Sequence, residues 1–330
     1  MKRVKVFIVV LLLLVFIPAL TFSAGQKEGA KEKPKVTFFW ALYDGLTEDF
    51  RANLQNAFME ASPDIAVDIV PVQWDQMHDK LVTSIAGGKP PEISVIGTRW
   101  ILELMAMDAV DEVTSYVSKT TLDNISPGAM EAKIKGKLMG LPIAAGARIM
   151  TINLDLSSTV PNTMEELRDM AIKVKNSGKG YGLIMPGKKH TEQTDFAYYL
   201  YSAGGSYFET NADGSYGKCA VNSPAGVKAL EFMVKLANED KAVQEGYLSM
   251  NRMESHPVFY SGKAGYVFIG AWVESAMTQA GATFPVKYAM IPPFAGSKPA
   301  PVIITDSVAI LKGAKNKKEA GKFLDFFYQD

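Results

Sequence analysis

An α/β fold built on a mostly parallel sheet is what this chain predicts, and three features point to it. From Val36 onward, short apolar runs alternate with segments whose apolar residues recur at helical spacing. Hydrophobic residues make up 48% of the 330, enough to fill cores between a sheet and its covering helices. All four tryptophans, Trp40, Trp74, Trp100 and Trp272, stand where an apolar run gives way to a helical segment. In open α/β sheets ligands gather beyond the carboxyl ends of strands, so these junctions predict an aromatic-lined cleft.

The first 25 residues have the layout of an export signal. Lys2, Arg3 and Lys5 form a basic start, residues 6–20 are apolar apart from the break at Pro18, and small residues follow up to Gly25. This apolar run is shorter than the ~20 residues a spanning helix takes, so a cleavable signal is expected rather than an anchor. With no cysteine near the junction, a lipid-anchored form is not expected, and the mature chain should be free in the periplasm. Residues 26–33 form a charged leader with nothing to bury and are expected to be disordered.

Residues 36–40 then read as a strand. Phe50, Leu54, Ala57 and Phe58 share one face of the following helix. Residues 65–72 form a second strand, and a helix over 75–86 turns Met77, Leu81 and Ile85 inward. Gly87 to Pro91 stop that helix, and 93–96 is the third strand. A hairpin over 133–140 precedes a strand over 148–153. Thr163 and Glu166 have capping-box spacing ahead of the stripe Met164, Leu167, Met170, Ala171 and Val174. Ser223 and Pro224 suit the cap and first turn of a helix continued by Val227, Leu230, Val234 and Ala237. The late run 266–269 delivers Gly270, Ala271 and Trp272 to whatever lies beyond it. Ala320, Phe323, Leu324 and Phe327 share a face of the last helical segment, which has no terminator, so this helix is expected to pack on chain further along.

Chemistry-bearing patterns are scarce. Lys plus Arg and Asp plus Glu are both 35, a balance that argues against nucleic-acid binding. His78, His190 and His256 lack metal-ligand spacing, and no phosphate loop, nucleophile elbow or Cys pair occurs, so no metal, cofactor or enzymatic activity is expected. Glu165 and Glu166 belong to a capping turn, and Glu239 and Asp240 to a helix end. Cys219, alone, excludes an internal disulfide and is expected to be a buried small hydrophobe. Aromatic faces with a few hydrogen-bonding neighbours suit sugars. Arg99 and Arg148 would serve hydroxyls or an anionic group.

The order of these pieces resembles the periplasmic solute-binding proteins of ABC carbohydrate importers. The resemblance is carried by Trp74 to Leu81 with Ile85 to Ile93, by Gly136 to Pro142, and by Val160 to Leu167. Ala203 to Gly205, Phe259 to Trp272, Asn316 to Ala320 and Phe323-Leu324 complete it. It implies a two-lobed fold with three interlobe crossings, at 142–148, 263–266 and 306–311. The first lobe would comprise 34–143 and 264–306, the second 144–263 and 307–330. The implied ligand contacts are Trp40, Tyr43, Asp44, Thr98, Arg99, Trp100, Gly146, Arg148, Glu192, Thr194, Asp195 and Trp272. The implied partners are a carbohydrate and the membrane permease subunits of an importer, with the protein itself a monomer. Relatives carry further helices after the equivalent of Phe327, so the chain is expected to lack C-terminal helices of the second lobe. Other readings are an anionic or phosphorylated polyol as ligand, a non-functional truncated remnant, and a secreted glycoside hydrolase.

Overall fold

The computed structural model describes residues 33–42, 47–126, 129–188, 193–212 and 216–329. The expected export signal and residues 26–32 of the leader lie outside them. Strand β1 (Lys35–Ala41) is followed by α1 (Glu48–Ala61), β2 (Ala66–Val72), α2 (Trp74–Ala86) and β3 (Ile93–Gly97). A short turn of 3-10 helix, Thr98–Trp100, leads into α3 (Ile101–Ala106); then come α4 (Lys119–Asn124) and the hairpin of β4 (Lys133–Ile134) and β5 (Lys137–Leu138). The long β6 (Leu141–Asn153) precedes α5 (Met164–Asn176), β7 (Tyr181–Ile184) and α6 (Gln193–Ser202). A second hairpin, β8 (Phe208–Thr210) with β9 (Tyr216–Cys219), leads to α7 (Pro224–Val234), α8 (Arg252–Tyr260), β10 (Ala264–Gly270) and α9 (Val273–Gln279). The chain continues through β11 (Val286–Ala289), β12 (Ile303–Ile310) and α10 (Lys317–Phe327).

Local chemistry explains the helix starts. The Phe50, Glu166 and Gly226 amides donate to the side chains of Thr47, Thr163 and Ser223, satisfying N–H groups that the first helical turn leaves open. The inward face of α7 differs from expectation. Val227, Leu230 and Val234 are exposed, whereas Gly226, Ala229 and Phe232 are buried. The bulk of Phe232, with Leu236 beyond it, sets the helix rotation because its burial removes more apolar area from water. Cys219 is also exposed, contrary to expectation, because it sits on an outlying two-stranded hairpin that reaches no core.

The strands follow the order β2-β1-β3-β12-β6-β10-β7, with β11 pairing beside β6. β1 pairs in parallel with β2 and β3, as strand-helix-strand repeats require, and β10 with β7. β12 and β6 run antiparallel to the strands they pair with. Residues 141–147 of β6 pair with β12, while its later residues pair with β10 and β11. One strand thus serves two halves of the structure.

Apolar packing divides along the same line. Phe38, Phe58, Met77, Leu81, Ile93 and Val95 form one core with Val308, Ile310, Phe323 and Leu324. Met150, Leu167, Leu183, Tyr199, Tyr266, Phe268 and Phe294 form another, flanked by a smaller cluster around Phe259 and Ile269. This corrects two expectations. Residues 264–302 pack with the second core, because β10 pairs with β6 and β7 there. Residues 307–324 pack with the first, because β12 pairs with β3 and α10 covers β1. The chain therefore changes core in β6 and again in β12, and 263–266 is the start of a strand rather than a crossing. The apolar face of the last helix packs on earlier chain: Phe323 stands edge-on to Phe38 and Phe58, at 5.8 and 5.1 Å.

A polar tether fixes α10. Lys317 Nζ donates to Asp111 Oδ2 at 2.6 Å, and the Tyr116 hydroxyl donates to the same oxygen at 2.8 Å. Desolvation pushes the Asp111 carboxyl up, but these donors outweigh it and hold it below the usual carboxylate range. A depressed carboxyl stabilises the fold above its unfolded pKa, and that contribution fades as pH falls through the folded value. Asp111→Asn should cost about 1–2 kcal/mol at neutral pH. In urea titrations the gap to the parent should begin to narrow at about pH 4, where the unfolded carboxyl protonates, and close only once the pH is below the depressed folded value.

Candidate functional site

β3 is buried along its length and ends at Gly97, so it hands Thr98, Arg99 and Trp100 to the turn beyond the sheet. Gly97 matters there: Arg99 folds back over it and a Cβ would crowd the guanidinium. That guanidinium lies 5.2 Å from the ring centre of Trp100 and 5.8 Å from that of Trp74. The two indoles stack on each other at 5.3 Å, and His78 meets Trp100 edge-on. Thr98 Oγ1 is 2.7 Å from Ser307 Oγ, which ties this turn to β12.

From the other core, Arg148 of β6 lies opposite Gly270 of β10. Trp272, two residues further on, rests its ring on Gly270 and reaches Gly146. The Arg148 guanidinium is 4.4 Å from the Trp272 ring centre, close enough for cation–π attraction. Arg148 is 8% exposed, and its Nε and Nη1 have no hydrogen-bond partner among the described residues. Asp195, buried in the first turn of α6, lies 3.6 Å from Arg252 Nε at the start of α8. Two shallow depressions of about 540 and 680 Å³ lie elsewhere, around Gly204 and Gly205, and no acid among the described residues lines either.

Electrostatics couples the two sides. Desolvation lowers Arg148 below its ordinary value; Tyr198, Asp195 and Asp306 oppose this, and Arg252 adds to it. Arg99 keeps solvent access, yet the walls around it withhold enough water to lower it to about 10. Asp306 resists that shift, while Arg252 and Arg148 deepen it. Side chains from β3's turn, β6, α6, α8 and β12 therefore share one field.

Of the expected contacts, Arg99, Arg148, Asp195 and Trp272 come together here, with Thr98, Trp100 and Gly146 adjoining. Thr194 is buried next to Asp195 in the chain. Trp40 does not join them. It is 5% exposed and packs among Phe38, Phe50 and Phe327, so the alternation of β1 makes it part of the first core. Tyr43, Asp44 and Glu192 lie outside the described residues.

Sequence reading missed Arg252, Tyr198, His256 and the role of Asp306. Arg252 did leave a trace: it follows the cap Asn251 in the first turn of α8, where the helix dipole disfavours a cation. His256, one turn on, is buried and falls to about 3 through desolvation, reinforced by Arg252 and Arg148. It is neutral when folded but protonates near 6.5 when unfolded, so the unfolded chain binds the extra proton between those values. Stability should therefore fall as pH drops from about 6.5 toward 3. His256→Leu should flatten that slope in thermal melts without changing it above pH 7.

The architecture is that of a two-lobed binding protein, with polar and aromatic residues gathered where the chain passes between its cores. The chain belongs to the bacterial extracellular solute-binding protein family, whose model matches residues 43–330. It is similar to a putative binding protein of Brucella abortus, 28% identical over 300 residues, which are 88% of this chain and 71% of the relative. The maltotriose-binding protein of Pyrococcus abyssi is 25% identical over 285 residues, 83% of this chain and 58% of that one. Among solved structures, the maltose-bound MalE3 of T. maritima superposes with a TM-score of 0.75 at 24% identity, covering 89% of this chain and 76% of that one. A Thermotoga lettingae solute-binding protein bound with α-D-tagatose gives 0.76 at 22%, with the same coverage. No helix among the described residues is long and apolar enough to cross a membrane.

Proposed function

We propose that this protein captures a sugar or oligosaccharide outside the inner membrane and delivers it, as a monomer, to the permease of an ABC importer. The carrying observation is the convergence of Arg99, Arg148, Asp195, Asp306 and Trp272, drawn from both cores onto one junction. Such a set offers a ring face, cationic donors and anionic acceptors, the three things a hydroxylated ring with apolar C–H faces can use. The relatives support the class, since their names and bound ligands are maltotriose, maltose and tagatose.

In this reading Trp272 and Arg148 contact one side of the ligand, while Arg99 with Thr98 and Trp100 contact the other as the lobes close. Tyr43, Asp44, Glu192 and Thr194 would contribute further contacts. Micromolar affinity corresponds to about 8 kcal/mol, within reach of one aromatic contact and several charge-assisted hydrogen bonds. Tryptophan fluorescence followed during titration with mono-, di- and oligosaccharides tests the proposal. A saturable change with at least one sugar is expected; silence across the whole panel would refute it.

A further inference from the structure

Arg148 is the most unusual group of the site. It is more than nine-tenths buried, yet its Nε and Nη1 donate to no described residue, and its visible support is the Trp272 ring. Burying a cation in this way is costly unless something supplies the missing acceptors. The two carboxylates nearby do not fill those donors, although Asp195 Oδ2 and Asp306 Oδ1 are themselves buried without a hydrogen bond among the described residues. Asp195 faces Arg252 at 3.6 Å, and Asp306 acts on Arg99 as well as on Arg148. Among the described groups, Arg252 acts against a charge on Arg148, while Tyr198, Asp195 and Asp306 favour it. With Arg99 included, three arginines face two aspartates, and His256 beside them is neutral. Among these named groups the positive charges outnumber the negative by one, and the arginines repel one another.

A neutral sugar would accept hydrogen bonds from Arg148 but leave that excess in place. An acidic group would fill the empty donors and cancel the charge in a single contact. We infer that the ligand is an acidic sugar, a carboxylate or phosphate ester on a ring, with its anionic group seated on Arg148 beside Trp272. The inference rests on the sugar reading above and narrows its substrate class. Trp272 then contributes an apolar edge next to the charge, which distinguishes a sugar acid from a bare inorganic anion.

Calorimetric titration of the full chain would use four probes: D-glucuronate, its methyl ester, glucose 6-phosphate and glucose, with trigalacturonate and maltotriose as longer counterparts. The free acid should bind about tenfold or more tighter than its ester or neutral counterpart. That preference should shrink as salt is raised. Whether glucuronate or glucose 6-phosphate gains more tells which acid the site takes. In Arg148→Gln, checked for folding by thermal melt, the ratio of acid to ester affinity should fall to about one. Equal or tighter binding of the ester and neutral sugars would overturn the inference while leaving the sugar reading intact. Binding of none of the six would overturn both.

Discussion

Phe323→Ala should destabilise the protein by about 3–5 kcal/mol, the range for removing a buried aromatic ring from a close-packed core. Phe323 is fully buried on α10, edge-on to Phe38 and Phe58 and stacked near Phe327. Its neighbours come from β1 and α1, elements some 270 residues earlier in the chain. The hole would therefore open under the first core, and that core should melt first. Hydrogen exchange is the decisive readout. Amides of β1 and β3 should lose protection, whereas those of β7 and β10 should keep most of theirs. The opposite pattern would mean that α10 supports the second core instead.

The second large effect is expected at Gly270. Any side chain there would overlap three atoms of the Trp272 ring, whereas one at Gly146 would meet the same ring at 3.9 Å, ordinary contact distance. Gly270→Ala must therefore lift the indole away from Arg148 or displace the end of β10. Overpacking of this kind costs about 1–3 kcal/mol. Sugar affinity should fall as well, by about tenfold or more, because the cation–π partner of Arg148 is misplaced. Gly146→Ala should cost less than half as much. The double variant Gly270→Ala, Trp272→Ala should regain stability relative to Gly270→Ala alone. Such non-additivity marks two groups competing for one space. If the two changes simply summed in chemical denaturation, the clash would not be the cause.

The strands and helix starts were readable because each is set by local chemistry. Thr47, Thr163 and Ser223 cap the helices they precede, and β1 alternates buried with half-exposed residues. Assignment of elements to cores was not readable in this way. β10 is buried at every residue from Ala264 to Gly270, so it has no polar face to show which sheet it joins. Pairing partners, supplied by β6 and β7, settle the matter, and they belong to distant sequence.

The site divides similarly. Trp40 and Trp272 stand at the same kind of strand end, yet the first is sealed by Phe327 of the last helix and the second lies against Arg148. No local pattern distinguishes them. Thr98, Arg99 and Trp100 were identifiable because a strand's end fixes where its next residues go. Asp306 gains its place from the tertiary fold, and the unfavourable start-of-helix position of Arg252 acquires its meaning only beside the other arginines.

The paired run of β6 and β12 has a mechanical consequence. Two hydrogen-bonded antiparallel strands make a strap that resists sliding but twists readily, since a narrow ribbon tolerates more twist than a wide sheet. The register of this strap slips between Asp306 and Ser307, the kind of irregularity that bends a strand and sharpens its local twist. Asp306 at that slip is also the carboxylate acting on Arg99 and Arg148, and Ser307 holds Thr98. A charge arriving at the arginines would therefore act on residues that belong to the strap itself.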